Sequence, residues 1–136
     1  MDRDVNNPSM RARYMADAVT TASPGKLLVM LYDRLVLDLV KAEEAIGRHD
    51  RETASAQLQH AQEIVIELRS SLRMDAWDGA RGLSEVYGFL LTQLIQANVR
   101  FDAAQVASCR ALVEPLCDAW RAAASEVSTG AAVRVA

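Results

Sequence analysis

The stretch TTASPGKLLVMLYDRLVLDLV, residues 20–40, decides the fold that the sequence predicts. It begins like a helix, because Ser23 can cap free backbone N–H groups and Pro24 suits the first helical position. The apolar residues that follow occupy most of the helical wheel, whereas a surface helix carries a single apolar stripe. They are Leu27, Leu28, Val29, Met30, Leu31, Tyr32, Leu35, Val36, Leu37, Leu39 and Val40. One side of this helix, residues 24–46, can face a core, so something else must cover the other side.

Three further segments repeat apolar residues every three or four positions, which is the spacing of a helical-bundle seam. Asp50 can cap the second helix, and Asp102 can cap the fourth. Pro115 lies inside the fourth seam and predicts a kink or a break there. The seams are Leu58, Ala61, Val65, Leu68 and Leu72; Leu83, Tyr87, Leu90, Leu94 and Ala97; and Val106, Cys109, Val113, Leu116, Trp120 and Ala123. Together with the first helix they predict an all-α, antiparallel four-helix bundle.

The ends of the chain are expected to lie outside this bundle. Residues 1–22 form a polar N-terminal segment in which Tyr14, Met15, Ala18 and Val19 have the spacing of a short additional helix. The bundle itself is predicted over residues 23–124. Residues 125–136 have no strong seam and are predicted to be a flexible C-terminal tail.

Composition excludes several classes of function. A formal net charge of −3 and a pI near 5.3 argue against nucleic-acid binding, which needs clustered Lys and Arg. The longest apolar run, residues 27–32, is far shorter than the ~20 residues of a membrane span. The N-terminus lacks the apolar core of a signal peptide, and Cys109 and Cys117 match no metal or redox motif. We therefore expect a cytoplasmic protein without membrane insertion.

The residues of an active site are also missing from the pattern. His49 and His60 are interpreted as solvated side chains, and no Glu-x-x-His spacing of a di-iron bundle occurs. Ser70 and Ser71 have no histidine nearby in sequence, although proximity in space stays open. The sequence therefore predicts a protein that is not an enzyme and that binds no cofactor or metal.

The second apolar face of the first helix leaves three alternatives open. The short N-terminal helix can cover it, a second copy of the chain can pack against it as a homodimer, or a partner segment can lie on it. Exposed apolar patches of this kind mark interaction sites.

Four stretches together resemble the FliS family of flagellar secretion chaperones. They are Tyr14 near the start, TASPGKLLVMLYD at residues 21–33, LSEVYGFLLTQLIQAN at residues 83–98, and LCDAW at residues 116–120. The chain departs from the family pattern at Arg34, where glycine is frequent. The resemblance implies a small antiparallel helical bundle that binds the disordered C-terminal region of flagellin in the cytosol. It also implies that the protein prevents premature polymerisation and helps to deliver flagellin to a component of the export gate.

The resemblance makes the surplus apolar face a docking surface for flagellin. Tyr14 is then either a displaceable plug or a simple anchor, and Asn98 can bond the backbone of an extended partner. Which stripe of the first helix is core and which is groove stays open. The candidate partner-binding residues are Tyr14, Leu28, Leu31, Tyr32, Leu35, Tyr87, Leu91 and Asn98. A self-associating adaptor bundle without a secretion substrate is the alternative function.

Overall fold

The computed structural model describes the backbone of residues 24–135 and the side chains of residues 24–126. Four α-helices make up this part of the chain: α1 (Pro24–Gly47), α2 (Arg51–Ser71), α3 (Ala80–Arg100) and α4 (Ala103–Val135). Helix α1 packs against both α2 and α4, whereas α3 packs against α2 and less extensively against α4. The predicted all-α bundle is confirmed. The additional helix predicted around Tyr14 lies outside the described residues.

Hydrogen bonds between helices show that neighbours run in opposite directions. The Asn98 side-chain amide donates to the Ser55 hydroxyl at 3.3 Å, near one end of the bundle. The Arg69 Nε donates to the Ser84 hydroxyl, also at 3.3 Å, near the other end. Because residue numbers rise along α2 as they fall along α3, the pair is antiparallel, as predicted.

Most residues of the predicted seams form the core, but three are only partly buried and one is exposed: Leu72, Leu116 and Trp120, and Ala123 respectively. Tyr32 and Leu35 of α1 are fully buried, as is Leu58 of α2, and the same holds for Leu94 of α3 and Val106 of α4. Cys109 and Cys117 are buried free thiols within this cluster. An interior of this kind is close-packed, so the loss of a single methylene is felt in stability.

The turn between α1 and α2 is short and well capped. Helix α1 ends at Gly47, one residue beyond the predicted range of 24–46, and His49 adopts the left-handed conformation, with φ 61°. The Asp50 N–H donates to the Ala45 carbonyl at 2.8 Å, and Asp50 Oδ1 accepts from the Thr53 N–H at 3.0 Å. The predicted cap of α2 is confirmed.

The turn between α3 and α4 lies at the same end of the bundle. Phe101 reverses the chain with φ 54°, and the guanidinium of Arg51 lies 4.5 Å from the centre of its ring. Asp102 Oδ1 accepts from the Gln105 N–H at 3.1 Å and caps α4, as the sequence predicts. A cation–π contact and a cap thus hold this corner together.

Helix α4 continues through Pro115, so the predicted break does not occur. Proline removes the hydrogen bond to the carbonyl four residues earlier, that of Ala111. Both residues are exposed, so water can reach this carbonyl and the helix tolerates the loss. The backbone stays helical to Val135, through the region where the sequence predicts a flexible tail. The division into segment, bundle and tail stays a prediction.

One carboxylate is buried between α1 and α2. Asp38 is fully buried, its Oδ2 contacts the His60 Nδ1, and its Oδ1 lies 3.1 Å from the Arg34 Nε. The Arg34 contact is an ion pair without the alignment of a hydrogen bond, so it acts through charge. The interpretation of His60 as a solvated side chain is wrong, because α1 brings a buried acceptor against it.

Candidate functional site

An apolar groove opens at the end of the bundle where α1 begins, α2 ends and α3 begins. Its volume is about 370 Å³. Most of its lining is apolar, which is the composition of a site for a ligand or a partner segment. The lining residues are Pro24, Leu27, Leu28, Leu31, Leu68, Ser71, Leu72, Arg73, Ala76, Trp77, Leu83, Tyr87 and Trp120.

The link between α2 and α3 shapes one wall of the apolar groove. Residues 72–79 form this link, and the Trp77 ring meets the Trp120 ring edge to face, with centroids 6.4 Å apart. Trp77 remains 47% exposed. A Cβ at Gly79 would overlap the Trp77 ring, so only glycine allows this placement. The wall is therefore a half-exposed loop tryptophan that packs against Trp120 of α4.

Two buried tyrosines form the floor. The hydroxyls of Tyr32 and Tyr87 are 2.6 Å apart, and Tyr87 is only 1% exposed although it lines the apolar groove. Burial raises the pKa of both hydroxyls; the Tyr32 hydroxyl raises the pKa of Tyr87 further. The nearby Trp120 side chain partly offsets the effect of burial on the pKa of Tyr32. Both hydroxyls therefore keep their protons at neutral pH.

The structure separates the two stripes of the first helix that the sequence left unassigned. Leu28 and Leu31 are partly buried and line the apolar groove, as does Tyr87. Tyr32 and Leu35 are fully buried in the core and lie behind that surface.

The other candidate residues lie elsewhere. Leu91 is partly buried against the core, and Asn98 bonds Ser55 near the opposite end of the bundle. Tyr14 lies outside the described residues. Two tryptophans of the apolar groove are absent from the candidates: Trp77, and Trp120, which the sequence placed only in the seam of the fourth helix. The signal for Trp77 is its place two residues before Gly79, in the longest link of the bundle.

A second apolar surface lies on the outside of α3. Phe89, Ile95 and Val99 are 57%, 50% and 75% exposed. The broad apolar pattern of the third helix in the sequence is thus not fully used by the core.

Charged pairs join α1 to α4 beside the core. Arg110 donates two hydrogen bonds to the Glu43 carboxylate, at 2.5 and 3.2 Å. Asp33 Oδ1 accepts from Arg121 and from the Cys117 thiol, the latter at 3.3 Å. Burial raises the pKa of Cys117, and the Asp33 carboxylate raises it further. These contacts fix the two helices in register.

Burial raises the pKa of Cys109 to about 11, which keeps it an unreactive thiol. Within the part of the chain that the structure describes, no group of His, Cys, Asp and Glu side chains has the arrangement of a metal site. Over the same residues, none of the helices has the length and apolarity to cross a membrane.

Comparisons with known proteins agree with this fold. The family model described as "Flagellar protein FliS" matches residues 6–127. The flagellar secretion chaperone FliS of Bacillus subtilis (strain 168) is 31% identical over 110 residues, which cover 81% of this chain and 82% of the relative. That of Escherichia coli (strain K12) is 31% identical over 106 residues, or 76% and 78% of the two chains.

A solved structure, described as a flagellar chaperone from bacteria, has the same fold. It superposes with a TM-score of 0.71 at 23% sequence identity, over 88% of this chain and 99% of that one. The family match spans all four stretches on which the resemblance rests. The chain is therefore a member of the FliS family of flagellar secretion chaperones.

Proposed function

We propose that this protein is a cytosolic export chaperone that binds the disordered C-terminal region of flagellin. Bound in this way, flagellin is kept from polymerising prematurely and is delivered to a component of the flagellar export gate. The observation that carries the proposal is an open apolar groove on a chain of the FliS family. Binding of this kind needs neither catalysis nor a cofactor.

The apolar groove suits an amphipathic segment. Leu28, Leu31 and Trp77 supply apolar walls, and an amphipathic helix lays its apolar face into a groove of this kind. The C-terminal helices of flagellin pack in the filament and are unpaired before assembly. A chaperone that covers their apolar faces excludes self-association. Because ordering the segment consumes part of the contact energy, the complex stays releasable.

The candidate residues take different roles in this proposal. Leu28, Leu31 and Tyr87 contact flagellin at the apolar groove, while Tyr32 and Leu35 support its floor from the core. Leu91 and Asn98 lie beyond the apolar groove and contact parts of flagellin that continue along α3.

Binding of C-terminally trimmed flagellin tests the proposal. Full-length flagellin from the same cell is expected to bind one to one, with the negative heat-capacity change of apolar burial in calorimetry. Removing the last few dozen residues of flagellin should abolish binding. Equal affinity of the full-length and trimmed proteins would show that the C-terminal region is not the ligand.

Tyr14 takes the role of a displaceable plug in this proposal. If the segment around Tyr14 competes with flagellin, Tyr14→Ala removes part of the cost of displacing it and strengthens binding. If Tyr14 contacts flagellin, the same change weakens binding. The sign of the change in affinity decides between the two roles.

Self-association is the second candidate function, and the exposed apolar surface of α3 favours it. Phe89, Ile95 and Val99 would form the seam of a homodimer. A molar mass that rises with concentration, and that Phe89→Ser returns to the monomer value, would support a homodimer. A mass that stays at one chain across the concentration range counts against it.

A further inference from the structure

The arginines of this protein divide into two groups by their partners. Those that α1 and α4 contribute to the described side chains each form an ion pair with a carboxylate: Arg34, Arg110 and Arg121. Among the same described residues, the arginines of α2, of α3 and of the link between them form no ion pair: Arg51, Arg69, Arg73, Arg81 and Arg100. The cations on the α2–α3 side of the bundle are therefore left for a partner to neutralise.

Two residues of α3 hold the Arg69 guanidinium in place. The Arg69 Nε donates to the Ser84 hydroxyl at 3.3 Å, and a Cβ built at Gly88 would lie 3.2 Å from both terminal nitrogens. The glycine thus lets the end of the guanidinium lie against the backbone of α3. An arginine that is already held in one position loses less side-chain entropy when a partner binds it.

The terminal nitrogens of Arg69 carry N–H groups that the chain does not use. A guanidinium has five N–H donors, and only the one at Nε donates to an acceptor in the part of the chain that the structure describes. The Arg69 side chain is exposed, so a partner can reach the other four from solvent. These donors match the two oxygens of a carboxylate, and charge-assisted hydrogen bonds of this kind are the strong ones.

Arg69 lies between two apolar surfaces of the bundle. Leu68, which precedes Arg69 in α2, lines the apolar groove together with Leu83 of α3. Ile95 is half exposed and lies on the same face of α3 as Gly88, about 10 Å further along the helix. A segment that leaves the apolar groove and continues along the outside of α3 therefore passes over Arg69.

We infer that the Arg69 guanidinium binds the carboxylate of an Asp or Glu side chain in the flagellin segment that docks in the apolar groove. This inference rests on the proposed function. The chain-terminal carboxylate of flagellin is not the ligand, because apolar surface on both sides of Arg69 suits a segment that continues past it. Apolar walls accept any segment of suitable shape, whereas this contact selects one with an acidic residue at a fixed place.

The pair of variants Arg69→Gln and Arg48→Gln tests the inference in the full chain. Each removes one positive charge from an exposed arginine, but Arg48 lies at the opposite end of the bundle, 3.8 Å from the Asp50 carboxylate. We expect Arg69→Gln to weaken flagellin binding about fivefold at low salt and Arg48→Gln by less than about twofold, by calorimetry. In about 1 M salt the effect of Arg69→Gln should fall below about twofold, because salt screens exposed charges.

A scan of flagellin identifies the acidic residue. Each Asp of its C-terminal region is changed to Asn and each Glu to Gln, and binding is measured to the unchanged chaperone and to Arg69→Gln. One of these changes should weaken binding to the unchanged chaperone about fivefold and to Arg69→Gln by less than about twofold, because the two charged groups act as a pair.

Three results would overturn the inference. The first is an equal effect of Arg69→Gln and Arg48→Gln on affinity at low salt. The second is a scan in which no Asp or Glu of flagellin matters, because the ligand of Arg69 would then not be an acidic side chain. The third is an Arg69→Gln change that lowers the molar mass of the free chaperone and leaves flagellin affinity unchanged, because this surface would then bind a second copy of the chain. Failure of the unchanged chaperone to bind flagellin would instead overturn the proposed function.

Discussion

The two ends of the bundle differ in the length of their links and in the contacts that cover them. At one end the links are short, residues 48–50 and 101–102, and Asp50 and Asp102 cap the helices that follow. At the other end the single link covers residues 72–79, and the helices part around the apolar groove. Backbone hydrogen bonds and caps hold the first end together, and we call it the closed end. Exposed and half-buried apolar side chains cover the second, which we call the open end. We propose that one end carries stability and the other carries binding.

The difference has a physical origin in the length of the links. A link of two or three residues brings helix ends together, and the left-handed residues His49 and Phe101 satisfy the last carbonyls. A longer link leaves room between helices that only side chains can fill. When those side chains are Leu28, Leu31 and Trp77, the room is apolar and a partner gains free energy by filling it.

The largest expected effect comes from the closed end. Leu58→Ala removes a fully buried side chain between close-packed helices and should lower the free energy of unfolding by about 2–5 kcal/mol. Urea denaturation of the free protein measures the change. A loss below about 1 kcal/mol would show that the closed end is not the stable part of the molecule.

The same substitution in the apolar groove should act on binding instead. Leu28 is only partly buried, so Leu28→Ala should cost less than about 1.5 kcal/mol in unfolding. Its affinity for flagellin should fall about tenfold, or about 1.4 kcal/mol, because the contact is made in the complex. Leu58→Ala is the matched control, and any Leu58→Ala protein that remains folded should bind as before. If Leu58→Ala weakens binding as much as Leu28→Ala does, the two ends are not independent.

The sequence predicts the closed end better than the apolar groove, because the contacts at the closed end join residues that are close together in the sequence. The caps at Asp50 and Asp102 are local: each carboxylate bonds a backbone N–H three residues on. The helical seams are local in the same sense, since the three- or four-residue spacing of apolar side chains is enough to identify them. These features were predictable without knowing how the helices are arranged.

The floor of the apolar groove depends on contacts that no local pattern contains. Tyr32 and Tyr87 are 55 residues apart, and Asp38 and His60 are 22 residues apart. Whether a tyrosine faces the core or a partner depends on the rotation of its helix against neighbours, which side-chain spacing does not specify. The position of Trp77 also depends on the conformation of the link over residues 72–79, whose sequence has no repeating apolar pattern. The sequence alone therefore does not tell which apolar stripe of α1 faces the core and which faces the apolar groove.

A pH titration should sharpen the comparison at the closed end. Hydrogen bonds from Thr53, its side chain first and its backbone N–H second, hold the pKa of Asp50 below its ordinary value. A lowered pKa in the folded state means that the cap stabilises the protein above the ordinary pKa, and that this stabilisation is lost as the pH falls through the lowered value. The advantage of the unchanged protein over Asp50→Ala should therefore shrink between about pH 5 and pH 2.

Asp50→Asn is the control for this titration, because an asparagine caps a helix without changing its charge. Its urea midpoint, relative to that of Asp50→Ala, should stay constant over the same pH range. If the unchanged protein keeps its advantage at pH 2, the Asp50 carboxylate does not hold the cap. Flagellin binding above pH 6 should be the same for all three proteins, since this end is far from the apolar groove.

The smallest effect concerns two glycines that begin α3. Gly79 has ordinary helical dihedral angles, φ −79° and ψ −8°, so its backbone accepts alanine, but the new Cβ would overlap the Trp77 ring. Because Trp77 is half exposed, it can swing away at little cost in stability. The Gly79→Ala protein should therefore melt within a few degrees of the unchanged protein while its edge contact with Trp120 is lost. Tryptophan fluorescence should shift, and flagellin should bind about two- to threefold more weakly, since one movable wall is displaced without loss of the floor.

Gly82→Ala is the matched change three residues on, because a Cβ at Gly82 meets no atom within 4 Å. Alanine there replaces a glycine in the first turn of α3 and should stabilise the protein by up to about 1 kcal/mol with unchanged fluorescence and affinity. The two variants add the same methyl group to the same helix terminus and differ in whether that group reaches Trp77. If their fluorescence and affinity agree, the position of Trp77 is irrelevant to binding, and the helices alone form the part of the apolar groove that binds. If only Gly79→Ala binds flagellin more weakly, the long link at the open end is part of the binding site, whereas the short links at the closed end serve the stability of the fold.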